Sequence, residues 1–354
     1  ADVLRTRQAL TMVLAGLEAL LLTFAEKIES TAHLPLIALT HLQPAEPSTL
    51  GYRLAIYAQD LFEDWQMLKQ QQRNLRGKGF KGAVGTRASY AELIGVDRLE
   101  DFEQRLSEKL ALPFYPVATQ VYPRKQDYQL TSALAGLGGS LYKFAFDLRI
   151  LQSPPIGEWS EPFGKKQVGS SAMPFKRNPI HAEKIDSLGR VLAQLPRLAW
   201  DNAAHSLLER TLDDSANRRA LLPEAFLITD ELLRVSQRIL SGLQVNETVM
   251  RRNLAVYAPF AAIERVLMAA AKQGADRQEM HERLRQHAMQ AWEAVQTGQP
   301  NPLEELVAAD QQLLGYLPEG ELRALMDAST HLGDAPQRAL KLAQNIRQCL
   351  ASQA

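Results

Sequence analysis

The amino-acid sequence predicts an all-α fold built around a bundle of long helices. Apolar residues recur at the spacing of helical turns over stretches well beyond the ~11–12 residues of an average helix. The alternation that marks a half-buried strand is limited to a short hairpin expected near 78–84. With 354 residues, 46% of them apolar and 23% charged, the composition is that of a globular protein with a sizeable core.

Five long helices are predicted before residue 243, expected at 9–24, from near Ser48 to beyond Leu68, and at about 126–152, 179–206 and 215–242. Apolar residues in each follow the i, i+3, i+4 rule, as Leu10, Val13 and Leu14 do in the first. The first segment contains Glu18 and is too short to cross a bilayer, so a buried core helix is expected there. Pro196 is expected to kink the fourth helix, because proline removes a backbone donor.

The chain is expected to divide into a central bundle domain, 1–244, and a smaller C-terminal helical domain, 245–354. Past residue 242 the helical patterns shorten and are interrupted by glycine and proline at Gly274, 298–300, 318–320 and 333–334. Some apolar stripes on the long helices are broad, which favours bundling between subunits over a monomeric helical domain.

Charge and cysteine content narrow the classes of function. Lys plus Arg equals Asp plus Glu, at 40 each, so no overall basic field recruits nucleic acid. The single cysteine, Cys349, fits a reducing compartment, and the cytoplasm is the expected location. Scattered histidines without a cysteine pair give no metal-ligand spacing, so no metal site is predicted. No transmembrane segment is expected from the sequence, so no membrane partner is predicted.

The most informative segment is the loop 169–179, which reads GSSAMPFKRNP. Glycine and two prolines keep it out of a regular helix. Ser170 and Ser171 offer hydroxyl groups for basic or nucleophilic chemistry. Lys176 and Asn178 follow with a cation and an amide for an anionic substrate, so the loop is a candidate catalytic element.

Two segments before the third helix are ambiguous on their own. His41 follows an apolar run and precedes a helix, where a histidine acts as an acid or base or is a hydrogen-bonded structural residue. Gln120 either binds a carboxylate or carbonyl of a ligand or belongs to a solvated polar loop.

The segment 209–219, ERTLDDSANRR, is ambiguous in the same way. Ser215 and Arg219 are four residues apart and share one helix face. A helix N-terminus with a hydroxyl and guanidinium groups suits a phosphate or carboxylate. A helix capped by Asp214 or Ser215, with surface ion pairs, is the alternative.

In combination, the segments resemble the adenylosuccinate lyase family of the fumarase/aspartase superfamily. The resemblance rests on their order along nearly the whole chain: THLQP at 40–44, GAVGT at 82–86, QVYPRK at 120–125, the loop 169–179, ERTLDDSANRR at 209–219 and RQEMHE at 277–282. The serine loop alone would also admit argininosuccinate lyase, fumarase, aspartase or the carboxymuconate cycloisomerases. The arginine-rich segment points to the purine enzymes.

The resemblance implies the superfamily's long-helix bundle and a β-elimination that needs no cofactor. Fumarate would leave adenylosuccinate, giving AMP, or the succinyl-carboxamide ribotide of purine synthesis. Ser170 would be the general base, with Ser171 beside it. Lys176 and Asn178 would hold the succinyl carboxylates, where extra negative charge develops.

The same resemblance implies roles for residues elsewhere in the chain. His41 would assist at the leaving nitrogen or bind a carboxylate, next to Thr40 as a substrate-binding residue. Glu183 would orient a histidine of the site, and Gln120 would bind substrate. The residues placed around the nucleotide phosphate and ribose are Arg210, Ser215 and Arg219.

The family's members are homotetramers whose active sites draw on three subunits, so the same assembly is expected here. Residues 1–5 resemble the interior of family sequences, so the family's N-terminal portion is expected to be missing from these residues. Lys184 stands where some relatives have arginine, which leaves substrate preference open because lysine loses bidentate geometry. Another superfamily lyase such as argininosuccinate lyase, and a catalytically idle helical scaffold, are the alternatives.

Overall fold

The structure is a computed structural model that describes residues 1–164, 173 and 175–352. Long helices dominate it, and the all-α prediction is confirmed. In the first part of the chain the elements are α1 (Asp2–Thr31), β1 (Pro35–Thr40), β2 (Gln43–Thr49), α2 (Leu50–Asn74), α3 (Ala88–Ile94), α4 (Leu99–Leu110), α5 (Lys125–Gln152), β3 (Trp159–Ser160), α6 (Ile180–Leu192), α7 (Leu195–Ala204) and α8 (Asp213–Ser241). The remaining elements are β4 (Gln244–Val245), α9 (Glu247–Lys272), α10 (Arg277–Gln296), α11 (Leu303–Ala308), α12 (Gln311–Leu314), α13 (Glu319–Met326) and α14 (Ala335–Ala351).

The chain forms two compact units. The first comprises Ala1–Thr23, Tyr57–Ile150 and Ser160–Leu243, and the second comprises Phe24–Ile56, Leu151–Trp159 and Gln244–Ala354. The last segment of the second unit begins where the sequence suggests a boundary. The same unit also takes in two earlier segments that the sequence assigns to the bundle domain.

The core of the first unit is built from the apolar faces of its long helices. Leu10 and Leu17 of α1 are fully buried, as the periodic spacing of leucines predicts. Helix α5 comes close to α6 at Gly138, where an added Cβ would lie 2.7 Å from Cδ2 of Leu192. Gly189 of α6 faces Tyr142 of α5 in the same way, so small residues allow the two helices to pack closely.

The fourth predicted helix is two helices rather than one kinked helix. Helix α6 ends at Leu192 and α7 begins at Leu195, with Pro196 in the first turn of α7. Proline suits that position because its missing N–H would have no partner within the helix there. The expectation of a continuous helix over 179–206 is therefore wrong.

The second unit contains an antiparallel hairpin, β1–β2, that the sequence pattern did not reveal. Pro44 and Pro47 interrupt the alternation of β2, and proline is tolerated here because the strand lies at the edge of a two-stranded sheet. Ile37 of β1 joins the core cluster of α9 together with Leu254 and Ala258. The hairpin expected near 78–84 is instead irregular chain, next to an isolated bridge between Gly77 and Phe114.

Helices α1 and α9 are long and apolar enough to cross a membrane by length and composition alone. A core helix of a soluble protein meets the same criterion. In α1 the most apolar residues pack inward, as Leu14, Leu20 and Leu21 do.

Candidate active site

A cavity of about 320 Å³ lies in the first unit, beside the loop that leads into α5. It is lined by apolar and polar side chains that include Phe80, Phe114, Gln120, Tyr122 and Arg124. Gln120 is exposed, and its backbone N–H donates to the carbonyl of Glu209 at 3.3 Å. The structure therefore brings Gln120 next to the segment that carries Arg210.

An ion network joins the residue directly before α5 to the first turn of α8. Nε of Arg124 donates to Oδ2 of Asp214 at 2.6 Å, and Nη1 of Arg210 lies 2.9 Å from Oδ1 of the same carboxylate. The side chains of Arg124 and Asp214 are 5% and 4% exposed. Asp214 therefore fixes two guanidinium groups next to each other, and the pair carries more positive charge than the carboxylate cancels.

A second buried group extends this network. The hydroxyl of Tyr122 donates to Oδ1 of Asp127 at 2.7 Å, and Nε of Arg218 donates to Oδ2 at 2.7 Å. Nη2 of Arg218 also donates to the Tyr122 hydroxyl oxygen at 2.7 Å. The guanidinium of Arg124 lies 4.9 Å from the Tyr122 ring centroid, so the aromatic ring links the two groups.

The pKa values of these groups follow from burial and charge. Burial alone would raise the pKa of Asp214, but hydrogen bonds and charge from Arg124 and then Arg210 outweigh it and hold that pKa below its ordinary value. Burial and the neighbouring Asp127 raise the pKa of the Tyr122 phenol, which stays protonated as a donor. Burial opposes the charge of Arg218, but Tyr122 and Asp127 prevail and raise its pKa.

Two of the expected phosphate-site residues lie on the first turns of α8. Ser215 is half-buried and Arg219, one turn later, is exposed. The helix begins earlier than expected, at Asp213, and its N-cap is Leu212, with no side-chain cap hydrogen bond at this described terminus. Capping by Asp214 or Ser215 is therefore wrong, because the Asp214 carboxylate is engaged by arginines instead.

Of the loop 169–179, the structure describes Met173 and residues 175–179. Ser170 and Ser171 lie outside the described residues. Lys176 is exposed, and its backbone N–H donates to the carbonyl of Met173 at 3.0 Å. The carbonyl of Asn178, a half-buried residue, accepts from the N–H of Ile180 at 2.9 Å, which brings the chain into α6.

Glu161 is a buried carboxylate at the start of α6 that sequence reasoning missed. Its side chain accepts the N–H of His181 at 3.1 Å and the N–H of Ala182 at 3.1 Å. Burial raises the pKa of Glu161, and the two N–H groups counteract that rise in part. A glutamate that follows Ser160 in an irregular stretch carries no sequence signal for this role.

Glu183 lies on the exposed face of α6. The neighbouring Lys184 forms an ion pair with Glu231 of α8 at 2.5 Å. On the inner side of the helix, Asp186 binds Arg149 of α5 at 2.6 Å. Burial raises the pKa of Asp186 in spite of that guanidinium, so the desolvation of the carboxylate outweighs the pairing.

Thr40 and His41 belong to the second unit, whereas the other described candidates belong to the first. Both are exposed at the end of the β1–β2 hairpin. His41 and Leu42 form a two-residue loop with φ angles of 54° and 59°. Two consecutive left-handed residues fit a type I′ turn, which favours glycine or asparagine, so this loop holds some backbone strain.

Among the residues that the structure describes, no three His, Cys, Asp or Glu side chains group as metal ligands would. The structure brings Gln120 next to Arg210, whereas the described contacts of Lys176 and Asn178 are with their own loop and the start of α6. The candidate residues of the first unit offer guanidinium groups, an ammonium, amides and hydroxyls. Such groups bind phosphate and carboxylate oxygens. The arrangement suits an anionic small molecule with more than one negative group.

Comparisons with known proteins connect this arrangement to one family. A family model described as "Lyase" matches residues 2–192, and one described as "Adenylosuccinate lyase C-terminus" matches residues 259–340. The adenylosuccinate lyase of Schistosoma mansoni is 40% identical over 82% of this chain and 61% of its own length. That of Saccharomyces cerevisiae is 37% identical over 97% of this chain and 71% of its own length. The chain thus spans less than two thirds of the length of the first relative and more than two thirds of the length of the second.

A solved structure gives the same picture of the fold. The 3-carboxy-cis,cis-muconate lactonizing enzyme of Pseudomonas putida superposes with a TM-score of 0.85 at 28% identity. The match covers 98% of this chain and 75% of that enzyme.

Proposed function

The chain belongs to the adenylosuccinate lyase family, and we propose that it catalyses the carbon–nitrogen cleavage that releases fumarate from adenylosuccinate, giving AMP. The same elimination is proposed for the succinyl-aminoimidazole-carboxamide ribotide of purine biosynthesis. Both substrates carry a phosphate and a succinyl group, so both need cations at two separated positions.

The observation that carries the proposal is the cluster of anion-binding groups at the start of α8. Arg210 is held by the buried Asp214, next to Gln120, while Ser215 and Arg219 follow on the same helix. A guanidinium fixed by a buried carboxylate loses little side-chain entropy when an anion binds, which favours affinity. Arg210, Ser215 and Arg219 bind the nucleotide phosphate and ribose in this proposal.

The succinyl group is the reacting end of the substrate. Ser170, as an alkoxide with Ser171 beside it, removes the proton from the carbon next to one carboxylate. Lys176 and Asn178 stabilise the extra charge on that carboxylate. The electron pair then forms the double bond of fumarate as the C–N bond breaks. His41, next to Thr40, delivers a proton to the leaving nitrogen, and Glu183 orients a histidine of the site.

We further propose that the protein works as a homotetramer with shared sites, in the cytoplasm. Helices α6 to α8 support this, because several large apolar side chains on them stay exposed in one chain. These include Val191, Leu198, Trp200 and Leu227, which are 45%, 36%, 45% and 66% exposed. Association would bury such residues, and it would let separated segments of different chains meet in one site.

The test is direct. The purified full-length protein is mixed with adenylosuccinate, and fumarate release is followed at high enzyme concentration. Turnover is expected, and Ser170→Ala should reduce it by orders of magnitude while the oligomer is retained. Absence of fumarate release from the unchanged protein contradicts the proposal.

A substrate panel with fumarate detection separates the alternatives. Release from argininosuccinate, and none from adenylosuccinate, would assign the chain to another superfamily activity. A helical scaffold without activity would show no thermal stabilisation by AMP plus fumarate, whereas a working lyase is stabilised in proportion to ligand occupancy.

A further inference from the structure

Glu161 precedes the loop 169–179 in the sequence, and its side chain contacts the start of α6, which follows that loop. Its side chain is almost fully buried, with the residue 1% exposed. A carboxylate that is removed from water in this way must be compensated by donors. Here the donors include the backbone N–H groups of His181 and Ala182, twenty and twenty-one residues further along the chain.

Among the described residues, no side chain at the N-cap position of α6 accepts from the helix N-terminus, so the Glu161 carboxylate takes that role. The N-cap residue is Pro179, whose side chain holds no acceptor. The first N–H groups of a helix have no partner within the helix, and they carry the positive end of its dipole. A buried carboxylate aimed at them satisfies the donors and the dipole together.

A second contact joins the same two chain segments. The guanidinium of Arg177 lies 5.2 Å from the ring centroid of Phe163. Phe163 is two residues after Glu161, and Arg177 is four residues before His181. The incoming and outgoing segments are therefore held together at two points.

Lys176 and Asn178 lie on the outgoing segment, directly before the first turn of α6. We propose that Glu161 is a positioning residue for the lyase reaction, which fixes the start of α6 and through it the places of Lys176 and Asn178. This inference rests on the proposed function for the roles of Lys176 and Asn178. The contact between Glu161 and α6 is independent of it.

The consequence for catalysis is geometric. Lys176 and Asn178 act on a carboxylate whose charge grows in the transition state, so their placement affects turnover more than ground-state binding. A displacement of about 1 Å in such a group lowers the rate by about 100-fold. Loss of the Glu161 carboxylate leaves the N–H groups of His181 and Ala182 without their acceptor, and the start of α6 becomes free to shift.

The experiment compares Glu161→Gln and Glu161→Ala with Glu224→Gln, a matched change on an exposed position of α8. Amide hydrogen exchange of His181 and Ala182 is measured first, in the ligand-free protein. Exchange should accelerate by about 10- to 100-fold in Glu161→Ala, as expected for lost charge-assisted hydrogen bonds, and less in Glu161→Gln, which keeps one acceptor oxygen. Unchanged exchange in both variants would show that Glu161 does not hold the start of α6, whatever reaction the enzyme catalyses.

Kinetics with adenylosuccinate are measured next on variants that retain the oligomer. The loss in Glu161→Ala should be about 100-fold and mostly in kcat, with partial recovery in Glu161→Gln and none of the loss in Glu224→Gln. A lower melting temperature with normal kcat would mean that Glu161 only stabilises the fold, which overturns the positioning role. If Glu161→Ala does not fold, the same comparison is made with Glu161→Gln alone. If the unchanged protein releases no fumarate, the proposed function fails. The exchange experiment still tests whether Glu161 holds the start of α6.

Discussion

Replacement of Asp214 by asparagine tests the central electrostatic feature of the first unit. Asp214 accepts from Nε of Arg124 at 2.6 Å and binds Nη1 of Arg210 at 2.9 Å. Asparagine keeps the shape and one acceptor oxygen but removes the negative charge. Two guanidinium groups, one of them buried, are then left next to each other without a counter-ion.

The size of the effect follows from the burial of the pair. Arg124 and Asp214 are 5% and 4% exposed, so solvent screens their interaction little. Loss of one partner from such a pair costs about 3–5 kcal/mol, and the retained amide oxygen places the expected cost near the lower end, at about 3 kcal/mol. For a chain of 354 residues the midpoint of thermal unfolding should fall by about 4 °C.

The assay is urea unfolding at pH 7, with Asp213→Asn as the matched control. Asp213 is the neighbouring residue on the same helix turn, but it is exposed. Asp213→Asn removes a favourable charge near the helix dipole, which is worth about 0.5 kcal/mol, and keeps an oxygen that can accept from the hydroxyl of Thr211. Equal destabilisation by the two variants would refute the reasoning that burial makes Asp214 important.

The pH dependence gives a second check with a definite sign. The pKa of Asp214 is depressed in the folded protein by Arg124 and Arg210, which outweigh burial. Such a carboxylate stabilises the fold above its unfolded pKa of about 4, and that stabilisation disappears as pH falls through the folded pKa. The gap between the unchanged protein and Asp214→Asn should therefore close below about pH 4, and a gap that persists there would contradict the assignment.

Three further outcomes are expected. Burial raises the pKa of Asp64 to about 6, so the fold loses stability as pH rises from about 4, the unfolded value, through about 6. The free energy of unfolding of Asp64→Asn, measured with urea, should exceed that of the unchanged protein by on the order of 1 kcal/mol at pH 7.5 and should equal it at pH 4. Gly51→Ala places a Cβ 2.6 Å from Cα of Ala32 and should lower the free energy of unfolding by about 2 kcal/mol. Gly320→Ala, where the added Cβ meets open space, should raise that free energy by about 0.5–1 kcal/mol. Similar unfolding midpoints for the two variants would be inconsistent with the packing. Arg219→Gln should raise KM for adenylosuccinate by about 10- to 100-fold, through the loss of a charge-assisted hydrogen bond, and an unchanged KM would remove Arg219 from the phosphate site.

The long helices were predictable because their signals are local. Helix α5 was expected at about 126–152 and spans Lys125–Gln152, and α8 was expected at about 215–242 and spans Asp213–Ser241. A periodic apolar stripe and flanking proline or glycine specify such elements without reference to distant parts of the chain. The β1–β2 hairpin escaped detection because its stability comes from packing against α9, not from alternation within the strands.

The candidate site divides in the same way. The sequence by itself determined the order of the motifs, and with it the family and the residue types available for chemistry at Gln120, Lys176 and Arg219. Only the tertiary structure decided that Asp214 holds Arg124 and Arg210, and that Glu161 holds the start of α6. Arg124 and Asp214 are 90 residues apart in the chain, and isolated charged residues normally face water. Their burial depends on which helices cover them, and that information exists only once distant segments have packed.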